Sequence, residues 1–407
     1  MKFAHIADCH LGSYREERMQ RVNTASFIKS IDNCLNENVD FVCISGDLFN
    51  TALPSIDVVR ETVRQFRRLK ERRIGCYIIA GSHDFSPSGK AMLHVLEEAR
   101  LCVDVVKGDI VDGLLKLRFT VDQKTGAKIT GMIGRRGMLE RTYYENIHRE
   151  HLENEEGFKI FMFHTALTEL KPKELLHMDS SPVSLLPRNF NYYAGGHVHI
   201  VSDSSIDGYE HIVYPGPTFP NSFTELEKLK GGGMYIHDNG VVKFVPIILK
   251  EIFSYVKDCE GKSAEVVEQE IKTELLAKNV DGMIVCLRLR GVLGQGRVSD
   301  IKFKEISTLL YEHGAYFVMR NTGSVQTQAF EAVHVKEDSV ENIEKSIIEE
   351  HVGMHKGISA SVDVEKKLMT DLMQVLSEES HEGEKKYEFE GRVADMTKKV
   401  IDTHLGQ

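Results

Sequence analysis

The chain has 407 residues, 42% of them hydrophobic and 28% charged, and a formal net charge of -10. That length accommodates one large domain with one or two smaller ones, and no run of 18 apolar residues supports a membrane-spanning helix. The acidity is concentrated in residues 331–407, with 18 Asp and Glu against 10 Lys and Arg, so the body is close to neutral and a polyanionic partner is not excluded.

Met1 to Ala7 enter an apolar strand without a basic leader, so neither export nor membrane spanning is expected. The seven cysteines (Cys9, Cys34, Cys43, Cys76, Cys102, Cys259, Cys286) stand singly, which fits a reducing cytoplasm. The strand at Lys2–Ala7 leads into Asp8-Cys9-His10, where two residues of extended chain would point a carboxylate and an imidazole the same way. His5, on the same strand, reads as a core histidine. A second strand, Phe41–Ile44, leads into Ser45-Gly46-Asp47-Leu48-Phe49-Asn50, a tight turn from which Asp47 can offer both oxygens to two cations. The spacing of Ile56, Val59, Val63, Phe66 and Leu69 predicts an amphipathic helix over Ile56–Arg73. Its other face carries Arg60, Arg64, Arg67, Arg68, Arg72 and Arg73, a solvated surface with nucleic-acid contact as the alternative.

The third strand, Cys76–Ile79, runs into Gly81-Ser82-His83-Asp84, where Gly81 permits close approach of the backbone. Arg135 and Arg136 follow Met132 and Ile133 as either surface residues or DNA contacts. Strand Phe158–Phe163 ends at His164, and Tyr192–Ala194 precedes Gly195-Gly196-His197-Val198-His199. Short apolar strands alternating with helices and ending in polar loops predict layered α/β architecture over residues 1–250, with these groups gathered at one sheet edge. After residue 250 the order strand, helix, strand, helix, strand (Phe253–Val256, Ala264–Ala277, Met283–Leu289, Ile301–His313, Tyr316–Arg320) predicts a small α+β domain over 251–335. Residues 336–407 read as a helical tail, with helices at Ser339–Glu350, Val362–Ser377 and Glu388–His404 and a loop at Glu378–Lys386. The last two helices have one-sided apolar stripes, which pack on the chain itself or on a partner helix.

Each polar motif alone also fits a structural turn. Their order, strand-end placement and donor types together point to a catalytic metal site of carboxylate and imidazole ligands, suited to manganese, iron or zinc. Two such ions would activate a water and offset charge on a phosphoryl group, so a phosphoesterase is expected.

The motifs "HIADCHLG", "ISGDLFN", "AGSHDFSPSGK" and "GGHVH" followed by "YPGPT" resemble the calcineurin-like metallophosphoesterase superfamily, and within it the nuclease subunit of the double-strand-break repair complex. The resemblance covers the first 250 residues; the rest matches by arrangement only. It implies a sandwich of two β-sheets flanked by helices, a small α+β cap that positions DNA, and a helical C-terminal tail that binds the coiled coil of an ABC-type ATPase. It further implies that Asp8, His10, Asp47 and His199 hold one manganese ion and Asp47, His164 and His197 a second, with iron, zinc or magnesium as alternatives. His83 would orient the phosphate or protonate the leaving oxygen. Ser82 stands where the family has Asn, as a weaker ligand to the second ion, and Asn50 where its nucleases often carry His. The implied activity is a manganese-dependent 3'-5' exonuclease and single-strand endonuclease on DNA ends, acting as a homodimer in the cytoplasm, on the nucleoid in a prokaryote. Two other readings stand beside it: a phosphodiesterase or phosphatase for a non-DNA substrate, and a DNA-end tethering subunit with catalysis weakened at Ser82 and Asn50.

Overall fold

The computed structural model describes residues 1–85, 91–134, 141–172, 175, 178–327, 361–378 and 386–405. In chain order the strands are β1 (Lys2–Ile6), β2 (Phe41–Ser45), β3 (Gly75–Ile79), β4 (Val103–Asp104), β5 (Gly108–Val111), β6 (Leu114–Leu117), β7 (Thr120–Val121), β8 (Lys128–Gly131), β9 (Lys159–His164), β10 (Tyr192–Gly196), β11 (Ser202–Ile206), β12 (Tyr209–Tyr214), β13 (Gly232–Asp238), β14 (Val241–Ile247), β15 (Ile252–Asp258), β16 (Ile284–Leu293) and β17 (Phe317–Thr327). The helices are α1 (Glu17–Asn36), α2 (Ile56–Glu71), α3 (Met92–Glu98), α4 (Arg141–Glu145), α5 (Glu150–Glu153), α6 (Phe223–Leu229), α7 (Ala264–Leu276), α8 (Phe303–Glu312), α9 (Val362–Leu376) and α10 (Lys386–Leu405).

One six-stranded sheet has the order β14-β13-β1-β2-β3-β4 and a second the order β11-β12-β10-β9-β8-β7. Both faces of the central strands are apolar, as buried parallel strands require. In β1, Phe3 joins Phe41, Tyr77, Ile160, Met162 and Tyr192 in the core between the sheets. The alternate residues Ala4 and Ile6 pack with Phe27 and Ile31 of α1 and Phe66 and Leu69 of α2. The outer face of the second sheet is covered by residues such as Tyr144, Leu152 and Leu186, against Phe161, Phe163 and Tyr193. The result is a sandwich of two β-sheets flanked by helices. His5 is fully buried in it, with Nδ1 3.1 Å from the Tyr192 hydroxyl. The arginine face of α2 is solvated and ion-paired: Arg60 with Asp57, Arg64 with Glu61, Arg67 with Glu71 and Arg68 with Asp32.

The chain divides into two compact units. The first comprises Met1–Cys259, Glu265–Arg290 and Ser299–Ser324. Within it β15 and β16 pair in parallel from Ile252↔Ile284 to Asp258↔Arg290. Ile284 and Cys286 of β16 pack with Met19 and Val22 of α1 and Leu226 of α6. The second unit comprises Glu260–Ala264, Gly291–Val298 and Val325–Gln407. There α9 and α10 form a hairpin closed by the ion pairs His404–Asp371 (2.7 Å) and Arg392–Glu378 (3.3 Å), with Leu368 and Val375 buried. The helix expected at Ser339–Glu350 lies outside the described residues. Among the described residues no helix is long and apolar enough to cross a membrane.

Candidate metal centre

The donors lie at the C-terminal ends of β1, β2, β3, β9 and β10, which are parallel within their sheets. After β1 the chain coils instead of staying extended: Asp8 and His10 have left-handed angles, φ 52° and 43°. The simple two-residue alternation expected there is replaced by a loop laid along the next one. Asp8 N–H donates to the Gly46 carbonyl (3.1 Å), His10 N–H to that of Asp47 (2.9 Å) and Leu11 N–H to that of Leu48 (3.0 Å). Asp47, His197 and His199 are also left-handed, at φ 50°, 94° and 49°. Non-glycine residues in this region cost about 1–3 kcal/mol each and persist where the surroundings over-determine them.

His10 Nε2 lies 3.0 Å from His199 Nε2 and 3.7 Å from Asp47 Oδ2. His199 Nε2 is 3.7 Å from Asp8 Oδ1, and His164 Nε2 is 3.2 Å from Asp47 Oδ2. Among the described residues three overlapping donor sets result, each with its atoms within 4.8 Å: Asp8, His10 and His199; His10, Asp47 and His83; Asp8, Asp47 and His164. Two residues expected as ligands stand beside these sets. The His197 ring lies 5.1 Å from the His164 ring, and the backbone N–H of His197 donates to both oxygens of Asp8 (2.9 and 3.1 Å). Ser82 Oγ is buried 3.5 Å from Asp47 Oδ2. Arg135 and Arg136 lie outside the described residues.

The donor set fits divalent cations on its own chemistry. His164 Nε2 is buried without an aligned hydrogen bond despite the carboxylate at contact distance. Lone pairs that converge in this way, on imidazoles and carboxylates without thiolates, suit manganese, iron or zinc. The opposite edges of several rings are tied down: His164 Nδ1–H donates to the Ser45 carbonyl (2.8 Å), His83 Nδ1–H to that of Asn50 (2.9 Å), and His199 Nδ1 contacts Glu225 Oε2 (3.1 Å). His83 thus finds its partner in the main chain of Asn50. Asp84 staples two loops together, accepting from Gly81 N–H (2.9 Å) and Phe49 N–H (3.0 Å). The glycines allow contacts that any side chain would block. A Cβ on Gly81 would sit 2.2 Å from Asp47 Oδ1, and one on Gly196 2.1 Å from the Ser45 carbonyl.

Electrostatics set these groups against one another. Burial alone would raise Asp47, but the charges of His164 and His10 and the His83 N–H hold its carboxyl far below the usual range. Burial and the negative charge of Asp47 push Asp84 up to about 7, despite its two backbone donors. Burial would lower His164, yet Asp47 and Asp8 lift it to about 10. Burial likewise opposes His199, which Asp8 and Glu225 raise to about 9. Burial lowers His10 to about 3 and, together with His164, lowers His197 to about 4. The carboxylates and burial thus pull the imidazoles of the cluster in opposite directions, His164 and His199 up and His10 and His197 down.

A cavity of ≈ 700 Å³ opens onto His10, Asp47, Ser82, His83, His197 and His199, with Leu175, Met178, Ile200, Val201 and Leu229 as an apolar wall. Glu225 borders it and escaped sequence reading. Its local signal was Ser222-Phe223-Thr224-Glu225, the S-x-x-E pattern of a helix start. Asp84 was visible in its motif, but its role as a staple was not.

Residues 1–201 match the calcineurin-like phosphoesterase family. The DNA double-strand break repair protein Mre11 of Archaeoglobus fulgidus is 26% identical over 329 residues, 75% of this chain and 72% of that protein. Its namesake in Methanococcus maripaludis is 29% identical over 58% of this chain and 63% of the relative, so there the chain spans less than two thirds of the relative's length. The Thermoplasma acidophilum Mre11 is 30% identical over 65% of this chain and 70% of the relative. The fold of these families implies a pair of metal ions. The family match begins before Asp8 and ends beyond His199, spanning every loop that brings a donor, and the archaeal alignments extend it: the chain belongs to the calcineurin-like phosphoesterases and, within them, to the Mre11 family.

Proposed function

We propose that this chain is a manganese-dependent DNA nuclease, exonucleolytic from 3' to 5' and endonucleolytic on single strands, that processes double-strand breaks. The observation that supports the reading is the reach of the Asp47 carboxylate: its Oδ2 lies 3.7 Å from His10 Nε2 and 3.2 Å from His164 Nε2, within an overlap of donor sets in which Asp8, His10 and Asp47 each belong to two, as a bridge between two ions needs. Asp8, His10, Asp47 and His199 would hold one ion, and Asp47, His164 and His197 the other, with Ser82 as a weak additional ligand. Bound there, such ions lower the pKa of a water and offset charge on a phosphoryl group. His83, with Nδ1–H committed to Asn50, keeps Nε2 for the phosphate or for a proton to the leaving oxygen. The names of the archaeal relatives, repair proteins of DNA double-strand breaks, support DNA as substrate.

The segment 251–335 acts as a cap that positions DNA. The hairpin of α9 and α10 is the dock for a coiled-coil ABC-type ATPase, a role supported by an apolar groove along Leu376, Phe389, Val393, Ala394 and Ile401. A homodimer is the working assembly. The presence of Ser82 favours one second reading, a DNA-tethering subunit with weakened hydrolysis.

The test is hydrolysis of single- and double-stranded DNA and of a small phosphodiester with manganese, with and without the ATPase. DNA cleavage that requires manganese is expected, and Asp47→Ala should abolish both cleavage and manganese uptake. Turnover retained by Asp47→Ala would sink the two-ion assignment, and binding of DNA ends without cleavage would favour tethering.

A further inference from the structure

We infer that Glu225 is a positioning residue for the metal centre, its carboxylate holding His199 with Nδ1 protonated and Nε2 turned inward as a donor. The inference rests on the two-ion reading above. Glu225 Oε2 lies 3.1 Å from His199 Nδ1. The opposite nitrogen, Nε2, faces His10 Nε2 at 3.0 Å and Asp8 Oδ1 at 3.7 Å. A carboxylate accepts but does not donate, so the proton of a neutral His199 is drawn to Nδ1 and the lone pair is left on Nε2. A metal-binding histidine is normally oriented by such an outer acceptor.

Helix capping explains only part of what Glu225 does. Its Oε1 accepts from Ser222 Oγ (3.0 Å), its own N–H donates to that hydroxyl (3.2 Å), and Oε2 accepts from Asn221 N–H (2.8 Å). These bonds are local to the start of α6 and need no histidine. They do fix the carboxylate in place. The helix itself is anchored from outside the sandwich: Arg288 of β16 grips Glu227 through Nε (3.0 Å) and an Nη (2.5 Å) and lies 5.0 Å from the centre of the Phe223 ring, while Leu226 is fully buried. Glu225 therefore reaches His199 from a pinned support, with both side chains mostly shielded from solvent at 24% and 18% exposure.

The experiment compares manganese binding, by calorimetry and by electron paramagnetic resonance, in the full chain and in Glu225→Ala, Glu225→Gln and Ser222→Ala. Circular dichroism in chelator checks that each variant folds. The wild type should take two ions. Glu225→Ala should weaken one of them by about 10- to 100-fold and alter the spin coupling of the pair. Glu225→Gln keeps an acceptor oxygen and should lose less; Ser222→Ala removes the cap and one anchor of the carboxylate but leaves Asn221 N–H and the His199 contact, so it should also lose less than Glu225→Ala. Unchanged manganese binding in Glu225→Ala overturns the inference, and so does an equal loss in Ser222→Ala. A wild-type chain that takes up no manganese would overturn the two-ion reading and this inference with it.

Discussion

We propose that Ser82 is the residue on which the strength of the centre turns. Its hydroxyl is 3.5 Å from Asp47 Oδ2, too long for a firm hydrogen bond, and it is shorter than the amide that the family places there. Ser82→Asn should tighten the second ion and raise the rate of hydrolysis; equal stoichiometry and rate in the two proteins would show that serine suffices. His5 makes a different, pH-dependent prediction. Burial lowers it to about 3 in the fold, against about 6.5 when unfolded. Below pH 6.5 the unfolded chain takes up a proton that the folded chain refuses, so stability falls as pH drops from 6.5 towards 3. His5→Phe should flatten that fall by up to about 1.4 kcal/mol per pH unit, whatever its effect at pH 8. Parallel stability curves from denaturant titrations of the two proteins would rule the assignment out. His5 was legible as a core histidine because it follows Phe3 on one face of an apolar strand. The left-handed geometry of Asp8 and His10 was not, since it is imposed by bonds to a loop some 40 residues away in sequence.

At the scale of elements, strand ends create the site. β9 and β10 run parallel, with Gly196 opposite His164, and the close approach of Gly196 to the Ser45 carbonyl joins the second sheet to the first. Gly196→Ala would place a Cβ 2.1 Å from that oxygen and 2.8 Å from His164 Nδ1. Forcing the layers apart there should cost about 1–3 kcal/mol and impair manganese uptake; an unchanged melting temperature would show that this edge has slack. The strands that carry donors were readable because their apolar runs stop abruptly at Asp, Gly or His. The helix α2 was readable from its period, and its predicted end at Arg73 is two residues beyond the observed Glu71. The short helix α6 was not read, because seven residues give too little periodicity and its start signal follows a turn-rich stretch.

At the scale of the whole molecule, catalysis and partner docking are assigned to separate stretches of chain. Deleting residues 339–407 should leave manganese-dependent hydrolysis of short DNA unchanged while abolishing ATPase binding, measured by co-elution; a complex that survives the deletion would remove the docking role. Layered α/β architecture could be anticipated from alternating strands and helices and the two-sheet sandwich from the family resemblance, but the contacts that pair the sheets could not. That pairing depends on contacts such as Phe3 with Tyr192, nearly 190 residues apart.

The raised histidines have a last consequence. The carboxylates of Asp47 and Asp8 raise His164, and those of Asp8 and Glu225 raise His199, so an ion entering the centre must displace a proton from any imidazole nitrogen it takes. Acid and metal then compete for the same nitrogens, so manganese uptake followed by calorimetry should weaken as pH falls.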